Sequence, residues 1–558
     1  MTVAELFVKC LEEEGVKYVF GVPGEETEDL VLALDDSKKI EFVPCRHEQG
    51  AAFIANVWGR LTGQAGVCLS TLGPGATNLI TGVADANLDK VPLVAITGQG
   101  DLERLHHESH QNIDVVNMYA PITKWNSSIT VPETTPEMVR KAFKVAEMEK
   151  PGATHIELPE NVARMEVKNG ARILEKGLLR RPAPDSEAML KAIHMIHAAT
   201  HPLILAGNGA IRNRSSEALT NLVQYTNIPV VSTFMGKGAV SDDLQESLLS
   251  VGLDFKDYVM EAFDRADLII TVGFDIAEYS PDEWNPGGKK KIIHIDFEAA
   301  EVYDTYQPQV EIIGDIAASI YELYNQLTKG NQNNDFENWY APIRERILED
   351  IASYTLEKNT DKIHVPGVIN MVREHLDKDG LLISDVGSHK MWIARNFKTT
   401  CPNGCVISNG LASMGIALPG GIAASLLDND REVVVICGDG GFMMNEQELA
   451  TAKLLGLTFT VIVLNDDDFS LISWKQKENN GRSAGTKLYN PDFVKLAESF
   501  DIKAAKAETA NELDEEIKEA IKSKELRLIE VPVANGVNGE LTAKLKKYYT
   551  AEAEEAAV

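Results

Sequence analysis

The stretch EVVVICGDGG, residues 432–441, decides the fold, because an apolar run ends there in a glycine-rich turn. A second apolar run, FTVIVLND at 459–466, follows it. Runs that are apolar at nearly every position are typical of strands buried on both faces of a parallel sheet. The segment between them, NEQELATAKLLG at 445–456, has the apolar spacing of a helix. Together they predict a βαβ unit, the building block of a doubly wound α/β sheet.

The same alternation continues through most of the 558 residues. Two polar segments without strand signals, 172–190 and 325–339, interrupt it and indicate domain connections. We therefore predict three doubly wound parallel-sheet domains, at 1–165, 186–330 and 360–535, and a polar tail at 536–558. The further strands predicted from apolar runs are 18–22, 66–71, 92–97, 154–159, 202–207, 229–233, 267–273, 291–296 and 381–387.

Composition excludes several classes of protein. The chain has 54 Lys and Arg against 84 Asp and Glu, a net charge of −30, which disfavours binding to nucleic acid. It has no apolar run long enough for a membrane-spanning helix. The first residues carry acids within their apolar pattern, unlike a secretory signal. Six cysteines are too sparse for a disulfide framework. These features predict a cytoplasmic protein.

Polar residues follow both strands of the βαβ unit. Asp439 lies in the turn Gly438–Gly441, and Asn465 ends the second strand. Ligands of open α/β sheets bind at the carboxyl ends of the strands, and glycines allow the backbone to approach them closely. Carboxylate and amide oxygens, completed by substrate phosphates, suit Mg²⁺. The pattern predicts a Mg²⁺–diphosphate site, although a Gly-Asp-Gly turn by itself more often marks an ordinary turn.

A second motif is RHEQGA at 46–51. His47-Glu48 begins like the H-E-x-x-H zinc motif, but Ala51 stands where the second histidine is required, so a zinc site is excluded. On the residues alone, Glu48 is most simply an acid in the first turn of a helix, where it complements the helix dipole.

The spacing of these motifs resembles that of thiamine diphosphate (ThDP) enzymes, in which Gly-Asp-Gly, 24 intervening residues and Asn bind the metal and the diphosphate. Over about 1–535 the chain resembles the acetolactate synthase family, and its FAD-independent catabolic branch most closely. The resemblance implies a pyrimidine-binding first domain, a central domain and a diphosphate-binding third domain. The strings that carry it include RHEQGAAF (46–53), TLGPGATNLITG (71–82), SDVGSHKMW (384–392) and GDGGFMMNEQELATA (438–452).

The resemblance also implies a role for each matching residue. Glu48 faces the aminopyrimidine of ThDP as the acid of a proton relay, and Gln111 faces the substrate. Asp439 and Asn465 bind Mg²⁺ through their side chains, and Asp467 through its backbone carbonyl. Met414 supports the cofactor from below, and the Gly410 carbonyl receives its 4′-amino group. The other implied cofactor contacts are Gly24, Thr71, Gly73, Asn78, Gly387, Ser388, His389, Gly438, Gly440 and Gly441. Without the resemblance, Met414 is ordinary core, and Thr71, Gly73 and Asn78 are a turn and a cap.

Two positions depart from the family. Glu26 stands where catabolic members usually carry Lys, and Lys475 where they carry Gln and FAD-binding members carry Trp. With Gln111 and Leu471 they are predicted to line the substrate pocket, unless they are two unrelated surface exchanges. Glu26 would disfavour an anionic second pyruvate and Lys475 would favour it, so the second substrate stays open.

The central domain carries half of a dinucleotide motif. AGNGAIR at 206–212 has Gly-x-Gly after a strand, but Arg212 occupies the third glycine position. FAD-binding relatives have a basic string after the strand at 267–273, whereas this chain reads FDIAE at 274–278. We therefore expect no FAD.

These implications predict a ThDP- and Mg²⁺-dependent enzyme that condenses two pyruvates to 2-acetolactate and releases CO2. The alternative on the same scaffold is a 2-oxo acid decarboxylase that releases an aldehyde. A non-catalytic ThDP-binding relative is a minor alternative, disfavoured because Glu48 and Asp439 are both present. The resemblance further implies a homo-oligomer, a dimer or tetramer, with active sites between chains.

Overall fold

The apolar runs form strands of three separate sheets, as the sequence predicts. The computed structural model describes residues 1–168, 171–212, 214–252, 257–329, 336 and 338–541, and within these its strands form three six-stranded parallel sheets. Helices cover the faces of the sheets. The predicted α/β class of doubly wound parallel sheets is therefore confirmed.

The first sheet comes from the N-terminal part of the chain. Its strands are β1 (Tyr18–Gly21), β2 (Glu41–Pro44), β3 (Gly66–Ser70), β4 (Leu93–Gln99), β5 (Trp125–Ser128) and β6 (Ala153–Pro159). Its helices are α1 (Val3–Glu14), α2 (Glu28–Asp35), α3 (Glu48–Thr62), α4 (Pro74–Leu88), α5 (Val115–Tyr119), α6 (Thr135–Glu147) and α7 (Glu160–Arg164). The strand order is β2-β1-β3-β4-β6-β5.

The second sheet follows the polar connection. Its strands are β7 (Pro202–Ala206), β8 (Val230–Ser232), β9 (Ser247–Ser250), β10 (Leu268–Val272), β11 (Lys291–Asp296) and β12 (Val310–Ile313). The helices are α8 (Ser186–Ala198), α9 (Ser215–Thr226), α10 (Val259–Arg265), α11 (Pro281–Trp284), α12 (Ile316–Lys329) and α13 (Ala341–Ala352). The order β12-β11-β10-β7-β8-β9 reverses between β7 and β10, the topology of dinucleotide-binding sheets.

The third sheet contains the βαβ unit quoted first. Its strands are β13 (Leu381–Ser384), β14 (Cys405–Ile407), β15 (Val433–Gly438), β16 (Thr460–Asn465), β17 (Lys503–Lys506) and β18 (Arg527–Pro532), in the order β14-β13-β15-β16-β18-β17. The helices are α14 (Val365–His375), α15 (Ser388–Asn396), α16 (Ala417–Leu427), α17 (Asp439–Phe442), α18 (Leu449–Leu454), α19 (Ser470–Asn480), α20 (Phe493–Ser499) and α21 (Ala510–Ser523).

Two local predictions need correction. The helix predicted at 445–456 is shorter, because a 3-10 turn at Glu446–Glu448 precedes α18. The segment from 536 does not begin as a surface tail, since Leu541 is buried and Trp392 Nε1 donates to the buried Asn538 Oδ1 (2.9 Å). Residues 542–558 of the predicted tail, and 330–335 and 337 of the second predicted connection, lie outside the described residues.

The first and third domains share one hydrophobic core. Helix α3 packs on α16, and residues such as Val57, Ile383 and Val435 belong to the same buried cluster. Small residues make this contact close: a Cβ on Gly420 of α16 would lie 3.2 Å from Val57 Cγ2. The two domains of one chain are thus held in a fixed arrangement. Among the residues described, none of the helices has the length and apolarity needed to cross a membrane.

Candidate active site

A cavity opens at the carboxyl edge of the third sheet. Its lining residues all lie between Val365 and Asn535, so it belongs to the third domain alone. Most of the residues that the sequence predicted to hold the diphosphate, and one predicted substrate residue, line it: Gly387, Ser388, His389, Met414, Gly438, Asp439, Gly440, Gly441 and Leu471. The cavity therefore collects side chains from loops that follow β13, β14, β15 and β16.

Two predicted metal ligands, the side chains of Asp439 and Asn465, converge beside this cavity, together with the side chain of Asp467, whose predicted ligand is its backbone carbonyl. Asn490 Nδ2 donates to Asp439 Oδ2 (2.7 Å), Asn465 Oδ1 (3.1 Å) and Asp467 Oδ1 (2.9 Å), so one nitrogen lies among three oxygens. Asp467 has a positive φ of 53°, which turns its backbone sharply at the end of β16. Burial raises the pKa of Asp439, and a bound cation would offset this cost of an ionised carboxylate.

The oxygen set fits a hard cation that shares its ligands with phosphate. Among the described residues no group of three or more His, Cys, Asp or Glu side chains forms a protein-only metal cage. Mg²⁺ is usually held by one or two carboxylates together with substrate phosphates and water, which matches the Asp439 carboxylate and the Asn465 amide oxygen. The donors present at Asp439, Asn465 and Asp467 therefore suit Mg²⁺ bound to a diphosphate.

Glycines keep the floor of the cavity open. A Cβ on Gly387 would lie 2.8 Å from His389 Cε1, and one on Gly440 would lie 2.5 Å from Phe469 Cε1. Gly387 also precedes α15, and because the first N–H groups of a helix have no partner within the helix, they can bind an anion. Burial lowers the pKa of His389 to about 4, so its imidazole is neutral, and its Nε2 has no partner among the described residues.

Glu48 lies in a second group of residues, at the carboxyl edge of the first sheet. It is the first residue of α3, which His47 caps by accepting from Gln49 N through its Nδ1 (3.1 Å). Glu48 is 9% exposed, and Asn78 Nδ2 of α4 donates to its Oε2 (3.0 Å). Helix capping and this hydrogen bond hold one carboxylate in a nearly buried position.

The other first-domain residues predicted for the site surround Glu48. Thr71 Oγ1 donates to Glu26 Oε2 (2.7 Å), and a Cβ on Gly24 would lie 2.3 Å from Thr71 Cβ. A Cβ on Gly73 would lie 2.8 Å from the carbonyl oxygen of Gln111. Gly24, Glu26, Thr71, Gly73 and Gln111 thus meet at one place, where the half-buried Glu26 is hydrogen-bonded within the group.

The structure separates the predicted residues into two half-sites within the chain. The first half-site is the Glu48 group of the first domain, and the second is the third-domain cavity with the converging oxygens. Lys475 lies on α19, one turn beyond the cavity residue Leu471, and is half-buried. Gly410 lies outside the cavity lining, on the loop that joins β14 to α16. Glu26 and Lys475 therefore belong to different half-sites.

Sequence reasoning missed Glu448, which supports the first half-site from the third domain. Its Oε1 accepts from Arg46 N (3.1 Å) and His47 N (3.0 Å), directly before α3. Burial raises the pKa of this carboxyl group. A Cβ on Gly50 would lie 2.5 Å from Glu448 Oε1, so only glycine fits there. The sequence offers no local signal for a contact between residues about 400 positions apart.

The second sheet has an acid where dinucleotide-binding sheets hold a pyrophosphate. Asn208 N, just after β7, donates to both carboxylate oxygens of Glu278 (3.0 Å each), and Asp275 N donates to Oε1 (3.1 Å). Thr233 Oγ1 donates to the same carboxylate. The turns after β7 and β10 touch, because a Cβ on Gly209 would lie 2.6 Å from Gly273 Cα. The chain's own carboxylate thus satisfies the N–H group that a phosphate would meet.

Comparison with known proteins agrees with this division. Residues 1–118 match the N-terminal TPP binding domain of thiamine pyrophosphate enzymes, thiamine pyrophosphate being another name for ThDP. Residues 189–323 match the central domain of these enzymes, and 385–531 match their C-terminal TPP binding domain. The chain therefore carries the domains with which this enzyme class binds ThDP.

Similar proteins come from bacteria, archaea and plants. The acetolactate synthase of Bacillus subtilis (strain 168) is 33% identical over 555 residues, covering 98% of this chain and 96% of that protein. A probable acetolactate synthase large subunit of Methanocaldococcus jannaschii is 34% identical, covering 95% and 91%. Acetolactate synthase 1, chloroplastic, of Nicotiana tabacum is 34% identical, covering 91% and 78%. With three matching domains and identity over nearly its whole length, the chain belongs to the acetolactate synthase family of ThDP enzymes.

Proposed function

We propose that this chain is a Mg²⁺- and ThDP-dependent acetolactate synthase that converts two pyruvates to 2-acetolactate and CO2. The observation that carries the proposal is the convergence of the Asp439 and Asn465 side-chain oxygens beside a glycine-lined cavity. The family, shown by sequence identity, supplies the reaction class. The experiment that tests it is to supply pyruvate, ThDP and Mg²⁺ to the purified protein and to identify the product.

Third-domain residues would hold the charged end of the cofactor. The side chains of Asp439 and Asn465 and the carbonyl of Asp467 would bind Mg²⁺. The backbone of Gly387, Ser388, Gly438, Gly440 and Gly441 would face the diphosphate, and the neutral imidazole of His389 would donate to it. Bound ThDP supplies the electron sink that allows a 2-oxo acid to lose CO2.

First-domain residues would hold the pyrimidine and the substrate. Glu48 would hold a proton against the ring nitrogen of the aminopyrimidine, because its carboxylate is nearly buried and oriented by Asn78. Gly24, Thr71 and Gly73 would lie along the ring, and Met414 and the Gly410 carbonyl would support it from the third domain. Gln111 would orient the substrate, with Glu26, Leu471 and Lys475 in the acceptor pocket.

We further propose that each active site forms between two chains. Within one chain the cavity has no first-domain residue in its described lining, and the start of α3 packs against Glu448. A two-fold axis that brings the first half-site of one chain to the second half-site of its partner would complete two equivalent sites. The proposed unit is a homodimer that pairs further into a tetramer, located in the cytoplasm. The proposed domains are a pyrimidine-binding domain at 1–165, a central domain at 186–330 and a diphosphate-binding domain at 360–535.

We propose that the central domain binds no FAD, as in the catabolic branch. Glu278 supports this, because its buried carboxylate already accepts from Asn208 N, Asp275 N and Thr233 Oγ1. Burial is the main cause that raises the pKa of Glu278 to about 7, and the charge of Asp275 is the second cause. A dinucleotide would have to displace this carboxylate from the turn after β7.

A 2-oxo acid decarboxylase is the second candidate. The observation in its favour is Glu26, which Thr71 holds inside the first half-site, where a negative charge opposes an anionic second pyruvate. Lys475 opposes this effect from the other half-site. The balance between the two charges decides whether a second pyruvate or a proton is accepted.

Replacing Glu48 by Gln should lower kcat by about 100-fold or more, the usual contribution of general acid–base catalysis. Gln keeps the shape and the contact with Asn78 but cannot exchange the proton. ThDP affinity and the thermal midpoint should stay near those of the native protein. Glu28→Gln, an exposed acid of the neighbouring helix α2, is the control and should keep full activity. Native turnover in Glu48→Gln would refute the assignment.

Replacing Asp439 by Ala should weaken ThDP binding about tenfold or more, because the diphosphate is held through the metal. Titration of ThDP at fixed Mg²⁺, followed by tryptophan fluorescence, measures the change. Asp467→Asn is the matched control: the proposed ligand there is the backbone carbonyl, so affinity should change by less than about threefold. Equal losses in the two variants, or Asp439→Ala with native affinity, would contradict the metal site.

Native protein should form mainly acetolactate from pyruvate, and Lys475→Gln should raise the share of acetaldehyde. The reason is that Glu26 replaces the lysine usual in catabolic members, so Lys475 would be the cation that attracts the carboxylate of the second pyruvate. Both products can be quantified in one reaction by NMR. Lys477→Gln, on the exposed end of the same helix, should leave the ratio unchanged. Acetaldehyde as the main product of the native protein would favour the decarboxylase instead.

A further inference from the structure

A pair of buried acids occupies the far end of helix α4. The helix begins beside the Glu48 group and ends with Asp85 and Asp89, one turn apart, with Asp89 as its C-cap. Their exposed fractions are 0% and 1%. The pair lies where the first domain meets the third domain of the same chain, since both acids contact residues beyond position 400.

Burial of two acids at this position is costly for the fold. The C-terminal end of a helix is negative, so two acids there are unfavourable, and like charges one turn apart repel. Burial, followed by the charge of Asp89, raises the pKa of Asp85 to about 8, and burial raises the pKa of Asp89 as well. Arg60 Nη1 lies 3.7 Å from Asp89 Oδ2 and offsets part of the cost. Well-packed apolar side chains would fill the space without that cost.

The acids hold the loop 408–415, which joins β14 to α16. Gly410 N donates to Asp89 Oδ1 over a short distance (2.6 Å). Ser408 Oγ donates to Asp85 Oδ1 (2.9 Å), and Asn56 Nδ2 donates to Asp85 Oδ2 (2.9 Å). Side chains of the first domain therefore hold the start of the loop. Asn409, the residue between the two loop donors, is held by Lys390 Nζ, which donates to its Oδ1 (3.0 Å), and by the Glu278 carbonyl, which accepts from its Nδ2 (2.9 Å).

The loop passes so close to the end of α4 that a side chain at position 410 would clash with it. A Cβ on Gly410 would lie 2.6 Å from Asp89 Oδ1 and 2.9 Å from the Leu88 carbonyl oxygen. Ala412 has a φ of 56°, in the left-handed region that a residue with a side chain adopts only when held there. At the other end Gly415 N donates to Asp385 Oδ1 (2.8 Å). Met414, next to this second anchor, faces the cavity.

We propose that Asp85 and Asp89 are positioning residues that fix the loop 408–415. Through this loop, the first domain of a chain fixes the residues that support the cofactor in the third domain of the same chain. The proposal rests on the proposed function, because Gly410 and Met414 matter only if they support ThDP. It differs from a purely structural role, in which the acids would hold the domains together without affecting the loop.

The test compares Asp89→Ala with Asp89→Asn in the full-length, cofactor-free protein. Asn keeps an oxygen for Gly410 N, whereas Ala removes it. Hydrogen exchange of the 408–415 peptide and a ThDP titration at fixed Mg²⁺ are the two measurements. We expect Asp89→Ala to speed exchange and to weaken ThDP binding, each by about tenfold or more, and Asp89→Asn to stay within about threefold of the native protein. The proposal is overturned if Ala leaves both quantities within about twofold, or if Asn loses as much as Ala.

Further variants keep the proposal testable if Asp89→Ala does not fold. Ser408→Ala removes one donor to Asp85 and should weaken ThDP binding by about three- to tenfold, and native affinity in this variant would overturn the proposal. Glu14→Gln is the control, because Glu14 is a buried acid of the first domain paired with Arg140. It should lower the thermal midpoint without changing ThDP affinity. Neither measurement uses pyruvate, so failure of the proposed reaction and failure of this proposal are distinguishable.

Discussion

The packing of α3 against α16 fixes the first domain against the third. It merges the first and third domains of one chain into one core, and Glu448 completes it by accepting from the backbone directly before Glu48. A carboxylate at this end of a helix is favourable, since the N–H groups there lack partners within the helix. The position of Glu48 is thus set by a residue of the third domain, nine positions after the predicted metal ligand Asp439.

This fixed arrangement explains why one chain carries two half-sites. The Glu48 group collects at the carboxyl edge of the first sheet, and the converging oxygens collect at the carboxyl edge of the third, as expected for ligand sites in open α/β sheets. Helix α4 contacts both groups. Near its start Asn78 donates to Glu48, and at its end the Asp85–Asp89 pair accepts hydrogen bonds from the loop 408–415. The central sheet keeps a dinucleotide topology, but Glu278 fills its anion position.

Interior strands could be predicted from the sequence, and the metal ligands stay a prediction from it, because both depend on local patterns. A strand buried on both faces is a continuous apolar run, whereas the six edge strands, such as β5 and β17, are short or partly exposed and were missed. The interior strand β18 was also missed, because Arg527 and Glu530 interrupt its apolar run. Glu448, Asn490 and the Asp85–Asp89 pair act across distant parts of the chain, which no local pattern reveals. The role of Glu48 is implied by the family resemblance, because the residues around it predict by themselves only the start of a helix.

We propose that the two half-sites of one chain serve two different active sites. Complementation tests it most directly: chains inactivated by Glu48→Gln are mixed with chains inactivated by Asp439→Ala under conditions that allow subunit exchange. A mixed dimer would contain one doubly damaged site and one intact site, so the account predicts that acetolactate formation returns to a substantial fraction of the native rate. No recovery despite demonstrated exchange, or a fully active monomer in sedimentation, would contradict it.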